Sequence, residues 1–299
     1  MFSKILAPLD GSDTAEKVLC YARSLAGALK VPIELLEVID ISAMSAHLVG
    51  DKARFLDGFI AEAEGTGRSY LDEIARSLSG FNVTTTVQRG KPAEVILEKI
   101  AAEPETLVAM ATHGRSGINR WLLGSVAEKV LRGASNPLFL VRADDDQQTS
   151  EAALHSIIVP LDGSALAETV LPMVAEMAKI FNAHVLLFRA FELPASAYYG
   201  REPYLPNYDE LKNQFRAGAQ SYLDSQITKL RAQGLPQVSS ELREGVGAEE
   251  IICCARERPR SLIAMCTHGR SGVKRWVLGS VTEKVVRHSG DPVLVVSAR

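Results

Sequence analysis

An internal duplication constrains the fold of this 299-residue chain more than any other feature of its sequence. The passage THGRSGINRWLLGSV, which begins at Thr112, returns as THGRSGVKRWVLGSV at Thr267, with 12 of 15 positions identical. A second passage, KILAPLDGSDTAEKVL from Lys4, is matched by SIIVPLDGSALAETVL from Ser156. The offsets of 155 and 152 residues are the size of a domain, so the sequence predicts two copies of one domain and not a solenoid of short repeats.

The boundary between the two copies follows from composition. The stretch ADDDQQTSEA, which begins at Ala143, is polar and acidic and has no hydrophobic period, as expected of a linker. We therefore predict a first domain over residues 1–143, a linker over 144–153 and a second domain over 154–299.

Each half alternates short β-rich runs with amphipathic helical patterns. In the first half the predicted strands are KILAP, PIELLEV, NVTTTVQ, TLVAMA and PLFLVR, and the second half repeats this order. Strands that alternate with helices form right-handed βαβ units on a parallel sheet. The predicted fold class is therefore α/β, with two tandem Rossmann-like, doubly wound domains that each contain a five-stranded parallel sheet.

Charge and hydropathy exclude several classes of partner. The formal net charge is −3 and the pI about 6.1, which gives no electrostatic attraction to nucleic acid or anionic lipid. No apolar run approaches the roughly 18 residues needed to span a membrane. The N-terminal MFSKILAPLDGS turns polar too soon for a signal peptide. We expect a cytoplasmic protein with no nucleic-acid or membrane partner.

The repeated loop has the chemistry of a polyphosphate site. In an open parallel sheet, ligands bind beyond the carboxyl ends of the strands, and this loop follows the predicted fourth strand. Gly114 and Gly117 allow backbone N–H groups to approach an anion closely. Gly124 and Ser125 then open a helix whose first N–H groups are unpaired and favour negative charge. The equivalent residues of the second half are Gly269, Gly272, Gly279 and Ser280.

Helix capping offers a plainer explanation of the serines in this loop. The sequences Ser125-Val-Ala-Glu128 and Ser280-Val-Thr-Glu283 have the spacing of capping boxes. That motif alone would account for serine at both positions. Retention of the whole loop in both halves, each time between a strand and a helix, favours the phosphate interpretation.

The aspartate and histidine residues near the strand ends allow two interpretations each. Asp10 and Asp162, in PLDGS, either contact a ribose hydroxyl or a magnesium ion or begin a helix, and the residues leave both roles open. His113 and His268 suggest a catalytic or metal site. Neither half has a second His or Cys at metal-ligand spacing, so both histidines are interpreted as loop residues.

These residues resemble the universal stress protein family in its tandem two-domain form. The family's nucleotide motif is a glycine, two residues, a glycine, nine residues, and then glycine with serine or threonine. The two copies here are Ala111-Thr-His-Gly114 with nine residues before Gly124-Ser125, and Cys266-Thr-His-Gly269 with nine residues before Gly279-Ser280. The resemblance covers both halves nearly end to end. It implies an adenine nucleotide alpha hydrolase-like fold that binds ATP, with or without Mg²⁺.

The resemblance implies a role for each part of the site. The aspartate after strand one approaches the ribose or the metal ion, backbone at the end of strand two contacts adenine, and the glycine loop holds the phosphates. The predicted first site consists of Pro8, Asp10, Val38, Ala111, His113, Gly114, Arg115, Gly117, Gly124, Ser125 and Val126. The predicted second site consists of Pro160, Asp162, Ala190, His268, Gly269, Arg270, Gly272, Gly279, Ser280 and Val281. Because the motif's first glycine is Ala111 in one copy and the larger Cys266 in the other, we expect the first site to bind more readily.

The leading functional interpretation is a non-enzymatic stress-response module whose ATP occupancy alters its conformation or its partner surface. No general base or metal-ligand cluster stands out beside the loop, and no GxxxxGK[S/T] motif occurs, so any hydrolysis is expected to be slow. A slow ATPase on the same fold and an interaction scaffold with degenerate sites stay open as alternatives. The resemblance also implies that the two domains pair through their last strands, which would otherwise be exposed apolar edges, and that the chain forms a homodimer.

Overall fold

The computed structural model describes residues 2–42, 56–113, 123–142, 154–192, 208–267 and 278–297. Of these, the residues before Leu154 form one compact unit and the remainder form a second. The predicted linker over 144–153 lies outside the described residues, so the predicted domain boundaries stay a prediction.

The first unit alternates strands and helices in the predicted order. Its elements are β1 Lys4–Leu9, α1 Asp13–Glu16, α2 Val18–Leu29, β2 Ile33–Ile39, α3 Leu56–Ser77, β3 Val83–Arg89, α4 Pro92–Ala102, β4 Thr106–Ala111, α5 Ser125–Gly133 and β5 Leu138–Val141. The strands lie in the order β3-β2-β1-β4-β5, and each neighbouring pair is parallel. The chain therefore builds the sheet outward from β1 in one direction and then returns to add β4 on the other side of β1.

Burial explains why the sequences of these strands are apolar runs. All six residues of β4 are buried, and so are Ile5, Leu6 and Ala7 in β1, as expected of parallel strands with helices on both faces. The edge strand β3, with the sequence VTTTVQR, is only half-buried and carries three threonines. Strand position in the sheet therefore accounts for the difference in composition.

The second unit repeats this architecture. Its elements are β6 Ser156–Pro160, α6 Ala165–Glu168, α7 Leu171–Phe181, β7 His184–Phe191, α8 Tyr208–Ala232, β8 Val238–Glu244, α9 Gly247–Arg256, β9 Ser261–Cys266, α10 Ser280–His288 and β10 Val293–Val296. Within this unit the strands run β8-β7-β6-β9-β10, again with parallel neighbours. The predicted fold class is confirmed. In the described part of the chain, no helix combines the length and apolar character that a membrane span requires.

Candidate functional site

The first unit has a cavity of about 430 Å³ at the carboxyl ends of its strands. The cavity lies where the winding direction changes, between β1 and β4, which is the usual ligand position in doubly wound sheets. Its walls include every described residue of the predicted first site: Pro8, Asp10, Val38, Ala111, His113, Gly124, Ser125 and Val126. The remaining predicted residues, Gly114, Arg115 and Gly117, lie outside the described residues.

The second unit has a smaller cavity, of about 290 Å³, in the equivalent position. Its walls include Pro160, Asp162, Ala190, Gly279, Ser280 and Val281, together with Cys266. His268, Gly269, Arg270 and Gly272, which the sequence also assigned to this site, lie outside the described residues. The fold thus brings together residues that the sequence separates by as much as 121 positions, from Pro160 to Val281.

The turn after β1 fixes the Asp10 carboxylate at the cavity. Oδ1 of Asp10 accepts hydrogen bonds from the backbone N of Ser12 at 3.1 Å and from its Oγ at 2.6 Å. The intervening Gly11 has a φ of 76°, which glycine adopts without strain. Ser12 in turn caps α1, because its Oγ accepts from the backbone N of Ala15 at 3.2 Å. Asp10 therefore organises the turn and lines the cavity at the same time.

The second unit repeats this turn almost atom for atom. Oδ1 of Asp162 accepts from the backbone N of Ser164 at 2.9 Å and from its Oγ at 2.7 Å. Ser164 caps α6 through the backbone N of Ala167, at 3.1 Å. The serine therefore caps the helix, and the aspartate organises the turn before it; the ligand role predicted for the aspartate stays a prediction.

The helix that follows the repeated loop begins differently from α1. Gly124 is the N-cap residue of α5 and has no side chain with which to cap the helix. The backbone N of Gly124 donates to the carbonyl oxygen of Thr112 at 2.8 Å. A Cβ at position 124 would lie 3.0 Å from that same oxygen, so a larger residue there would crowd the Thr112 carbonyl. The first turn of α5 thus presents backbone N–H groups at a cavity wall.

The capping-box interpretation of the serines is wrong. Ser125 is the first helical residue of α5 and not its N-cap, and the carboxylate of Glu128 accepts from Arg132 at 3.1 Å. Helix α10 repeats the arrangement: Gly279 is its N-cap, with its N donating to the Thr267 carbonyl at 2.8 Å. Capping therefore does not explain why serine follows glycine at both positions.

The walls of the first cavity also contain residues that the sequence did not indicate. Leu36, Ile96 and Met110 make one side apolar, and Asp40 adds a second carboxylate beside β2. Asp40 follows β2 as Asp10 follows β1, and that shared place at a strand end was the signal available in the sequence. The Oγ1 of Thr112 lies 3.0 Å from Nδ1 of His113, which orients the imidazole at the cavity wall.

A tyrosine ties the long helix of each unit to the helix after the aspartate turn. The Tyr70 hydroxyl in α3 donates to Oε1 of Glu16 in α1 at 3.0 Å, and Tyr222 donates to Glu168 at 2.9 Å. Burial raises the pKa of Tyr70, and the nearby Glu16 carboxylate raises this pKa further, so the phenol stays protonated and keeps donating. This contact braces the turn that holds Asp10.

Together, these features define a class: a duplicated α/β protein with a cavity at the switch point of each parallel sheet. The model of the universal stress protein family matches residues 1–142 and again residues 153–297. The chain belongs to the universal stress protein family, as its sequence motifs indicated.

Individual relatives agree with this assignment. A universal stress protein of Methanocaldococcus jannaschii is 29% identical over 144 residues, which cover 48% of this chain and 83% of that protein. A universal stress protein of Mycolicibacterium smegmatis is 22% identical over 302 aligned positions, covering 99% of this chain and 97% of that one. The crystal structure of a universal stress protein from Archaeoglobus fulgidus has the same fold, with a TM-score of 0.73 at 21% identity and 99% coverage of both chains.

Proposed function

We propose that this chain binds an adenine nucleotide, ATP, in the cavity of the first unit, and that occupancy of this site alters its conformation or its partner surface in the stress response. One observation carries the proposal. The start of α5, whose N-cap residue is a glycine, and the carboxylate of Asp10 line the same cavity. A helix start attracts phosphate, and a carboxylate at this place suits a ribose hydroxyl.

The proposal assigns the base, the ribose and the phosphates of ATP to different residues that line the cavity. The base lies against the apolar side formed by Leu36 and Ile96 and contacts backbone at Val38. The ribose meets Asp10, and backbone N–H groups at the start of α5 receive the phosphates. The alternative role for Asp10 is to hold a magnesium ion carried on the phosphates in place of the ribose contact, since carboxylate oxygen is a preferred magnesium ligand.

The proposal is a binding module, and an enzyme on the same fold is the alternative. Within the described ranges, no group of three or more His, Cys, Asp and Glu side chains is placed to hold a metal ion. A turnover assay with ATP and Mg²⁺ distinguishes an ATPase, because the proposal expects hydrolysis to be slow at most. A cytoplasmic location, pairing of the two domains through β5 and β10, and a homodimer in solution belong to the same proposal, and analytical ultracentrifugation tests the homodimer.

Calorimetric titration of the full chain with ATP tests the proposed site directly. We expect Gly124→Val to weaken ATP binding at least about 100-fold, because the new side chain would press on the Thr112 carbonyl and distort the helix start. Mass spectrometry of ligand released from the purified wild-type chain identifies the nucleotide.

Gly65→Val is the matched control, since a Cβ at position 65 in α3 would meet no atom within 4 Å. It makes the same chemical change in a helix and should leave ATP affinity unchanged. Equal affinity of the Gly124→Val and wild-type chains for ATP would contradict the proposal.

A further inference from the structure

The short helix α1 connects the first cavity to the long helix α3. Before its start, Asp10 accepts hydrogen bonds from the backbone N and the Oγ of Ser12, which is the N-cap residue of α1. At its end, the Glu16 carboxylate accepts from the Tyr70 hydroxyl of α3 at 3.0 Å. The backbone N of Glu16 also donates to the Ser12 carbonyl oxygen at 3.2 Å, which joins the two ends. The place of the Asp10 carboxylate therefore depends on where α3 holds Glu16.

Helix α3 lies close to the sheet at Tyr70. Gly67, one turn earlier, is buried, and a Cβ there would lie 2.7 Å from Oε2 of Glu37 in β2, so glycine permits this approach. Burial raises the pKa of Tyr70, and the carboxylates of Glu16 and Glu37 raise it further. Asp10 also raises this pKa, by less. The Tyr70 hydroxyl therefore stays protonated beside these carboxylates and donates to that of Glu16.

The second unit keeps this hydrogen bond in different surroundings. Tyr222 donates to Glu168 at 2.9 Å, and both tyrosine–glutamate pairs are 54 residues apart in the sequence. At the position of Glu37, however, the second unit has Arg189, whose guanidinium carbon lies 5.1 Å from the centre of the Tyr222 ring. A cation thus replaces an anion next to the tyrosine, and the hydrogen bond persists. Its persistence indicates a role for the bond itself and not only for the packing around it.

The proposed ribose contact depends on where α1 lies. Ala15 of α1 lines the first cavity together with Asp10, so a displacement of α1 would change the cavity wall. It would also move Ser12 and, through its two hydrogen bonds, the Asp10 carboxylate. A hydrogen bond weakens steeply as its length and angle leave their preferred ranges. The groups that hold a binding residue in place therefore determine how well its contact forms.

We propose that Tyr70 is a positioning residue for the ribose contact of the first cavity: it holds α1 through Glu16 and so sets the place of the Asp10 carboxylate. The inference rests on the function proposed above, since it concerns one contact within that nucleotide site. None of the described residues that line the cavity belongs to α3. A helix outside the cavity thus becomes a determinant of specificity for ribose.

Calorimetric titration of the full chain with ATP and with 2′,3′-dideoxy-ATP, which lacks both ribose hydroxyls, tests this role. We expect the wild-type chain to bind ATP at least about tenfold more tightly than the dideoxy analogue. Tyr70→Phe should reduce this ratio to about threefold or less. Its affinity for the analogue should stay within about twofold of wild type, because phenylalanine keeps the packed ring and removes only the hydroxyl.

Two substitutions of Glu16 separate positioning from a general loss of structure. Glu16→Gln keeps a side-chain oxygen that accepts from Tyr70 and should retain most of the ratio. Glu16→Ala removes the acceptor and should reduce the ratio as Tyr70→Phe does. In the double variant Tyr70→Phe with Glu16→Ala the losses should not add, because both changes remove one and the same contact.

Tyr222→Phe is the corresponding control, since it removes the equivalent hydrogen bond of the second unit. It should leave the ratio unchanged. The inference is overturned by a wild-type ratio near one, by an unchanged ratio in Tyr70→Phe, by equal losses of affinity for both nucleotides, or by a ratio that falls with Tyr222→Phe instead. If Tyr70→Phe does not fold, the two Glu16 variants decide.

The same titrations distinguish this inference from the function on which it rests. Absence of ATP binding to the wild-type chain would refute the proposed function and the positioning role with it. Binding of ATP with a ratio that neither Tyr70→Phe nor Glu16→Ala alters would refute the positioning role alone.

Discussion

The two units agree at the carboxyl ends of their strands and disagree on the sheet face beneath α4 and α9. At the carboxyl ends, the Asp10 and Asp162 turns make the same hydrogen bonds. Helices α5 and α10 both have a glycine as their N-cap residue. Beneath α4, the first unit has an ion network around Glu34, which accepts from Lys4 at 2.5 Å and from Lys99 at 2.7 Å.

The second unit solves the same packing problem with different residues. Leu186 and Cys254 stand where the first unit has Glu34 and Lys99. The charges move to β8, where Glu241 bonds to Arg243 at 2.6 Å and to Arg258. The interior under these helices therefore tolerates complete replacement of its polar groups within one fold.

This contrast identifies the repeated residues that packing alone does not explain. The region that only has to pack has been rebuilt, whereas the region that lines the cavity has kept its aspartate, its glycines and its helix start. Packing needs volume and paired charges, which many residue sets supply. A ligand needs particular groups at particular places, which few sets supply. The agreement at the strand ends therefore supports a binding role for that edge.

Removal of Glu34 is expected to give the largest effect on stability. Glu34→Leu removes the carboxylate that Lys4 and Lys99 share, and only Lys4 keeps another ion-pair partner among those described, Glu103. Breaking one side of a buried ion pair costs about 3–5 kcal/mol of unfolding free energy. Urea unfolding should show this loss as a lower transition midpoint. ATP affinity should be unchanged, because Glu34 does not line the cavity.

The triple change Lys4→Ser, Glu34→Leu and Lys99→Cys is the control, since it installs the residues of the second unit at all three positions. It should recover most of the lost stability because no unpaired charge remains buried. A triple variant no more stable than Glu34→Leu would show that the two networks are not interchangeable solutions.

Paired aspartate substitutions sharpen the comparison between the cavities. Asp10→Ala and Asp162→Ala each remove two hydrogen bonds to a serine, so we expect similar losses of about 1–2 kcal/mol in stability. Only Asp10→Ala should also lower ATP affinity, by about tenfold, through the lost ribose contact. Calorimetry and urea unfolding of the same samples separate the two effects. Equal ATP affinities in the two variants would argue against a ribose contact at Asp10.

Acid should act on the two units in different pH ranges. Burial alone would raise the pKa of Glu34, but hydrogen bonds from Lys4, Lys99 and Thr86 outweigh it, so this pKa lies below its ordinary 4.5. Burial, aided by Arg258, holds the pKa of His184 below its ordinary 6.5. Both groups contribute stability above their unfolded pKa values and lose it as the pH falls through the folded ones.

The second unit should therefore begin to lose stability below about pH 6.5 and the first unit only below about pH 4.5. The histidine effect is the smallest of those expected, below about 1 kcal/mol, because the imidazole is half-buried. Thermal melts of wild type and His184→Gln at pH 7.5 and 5.5 measure it. The substitution should remove part of the acid sensitivity, and an unaltered difference between the two pH values would refute this assignment.

The local hydrophobic pattern predicted the strands well, because strands buried on both faces have apolar side chains at successive positions. The runs KILAP and TLVAMA correspond to β1 and β4, and the cavity residues at their ends follow from a general property of parallel sheets. The capping box failed because the same letters allow two helix starts. The hydrogen bond from Gly124 to Thr112 selects the earlier start, and Arg132 draws the Glu128 carboxylate away.

The sequence by itself determined that there are two copies of one α/β domain, since strand and helix periodicities are local and the duplication is visible in the letters. It did not determine that Thr169 would meet Cys266, 97 residues away, or that Lys4 and Lys99 would share one carboxylate. Such contacts depend on which strands become neighbours and in what register, and parallel neighbours are separated by whole helices. Only the tertiary structure made two nearly identical motifs into cavities of different size.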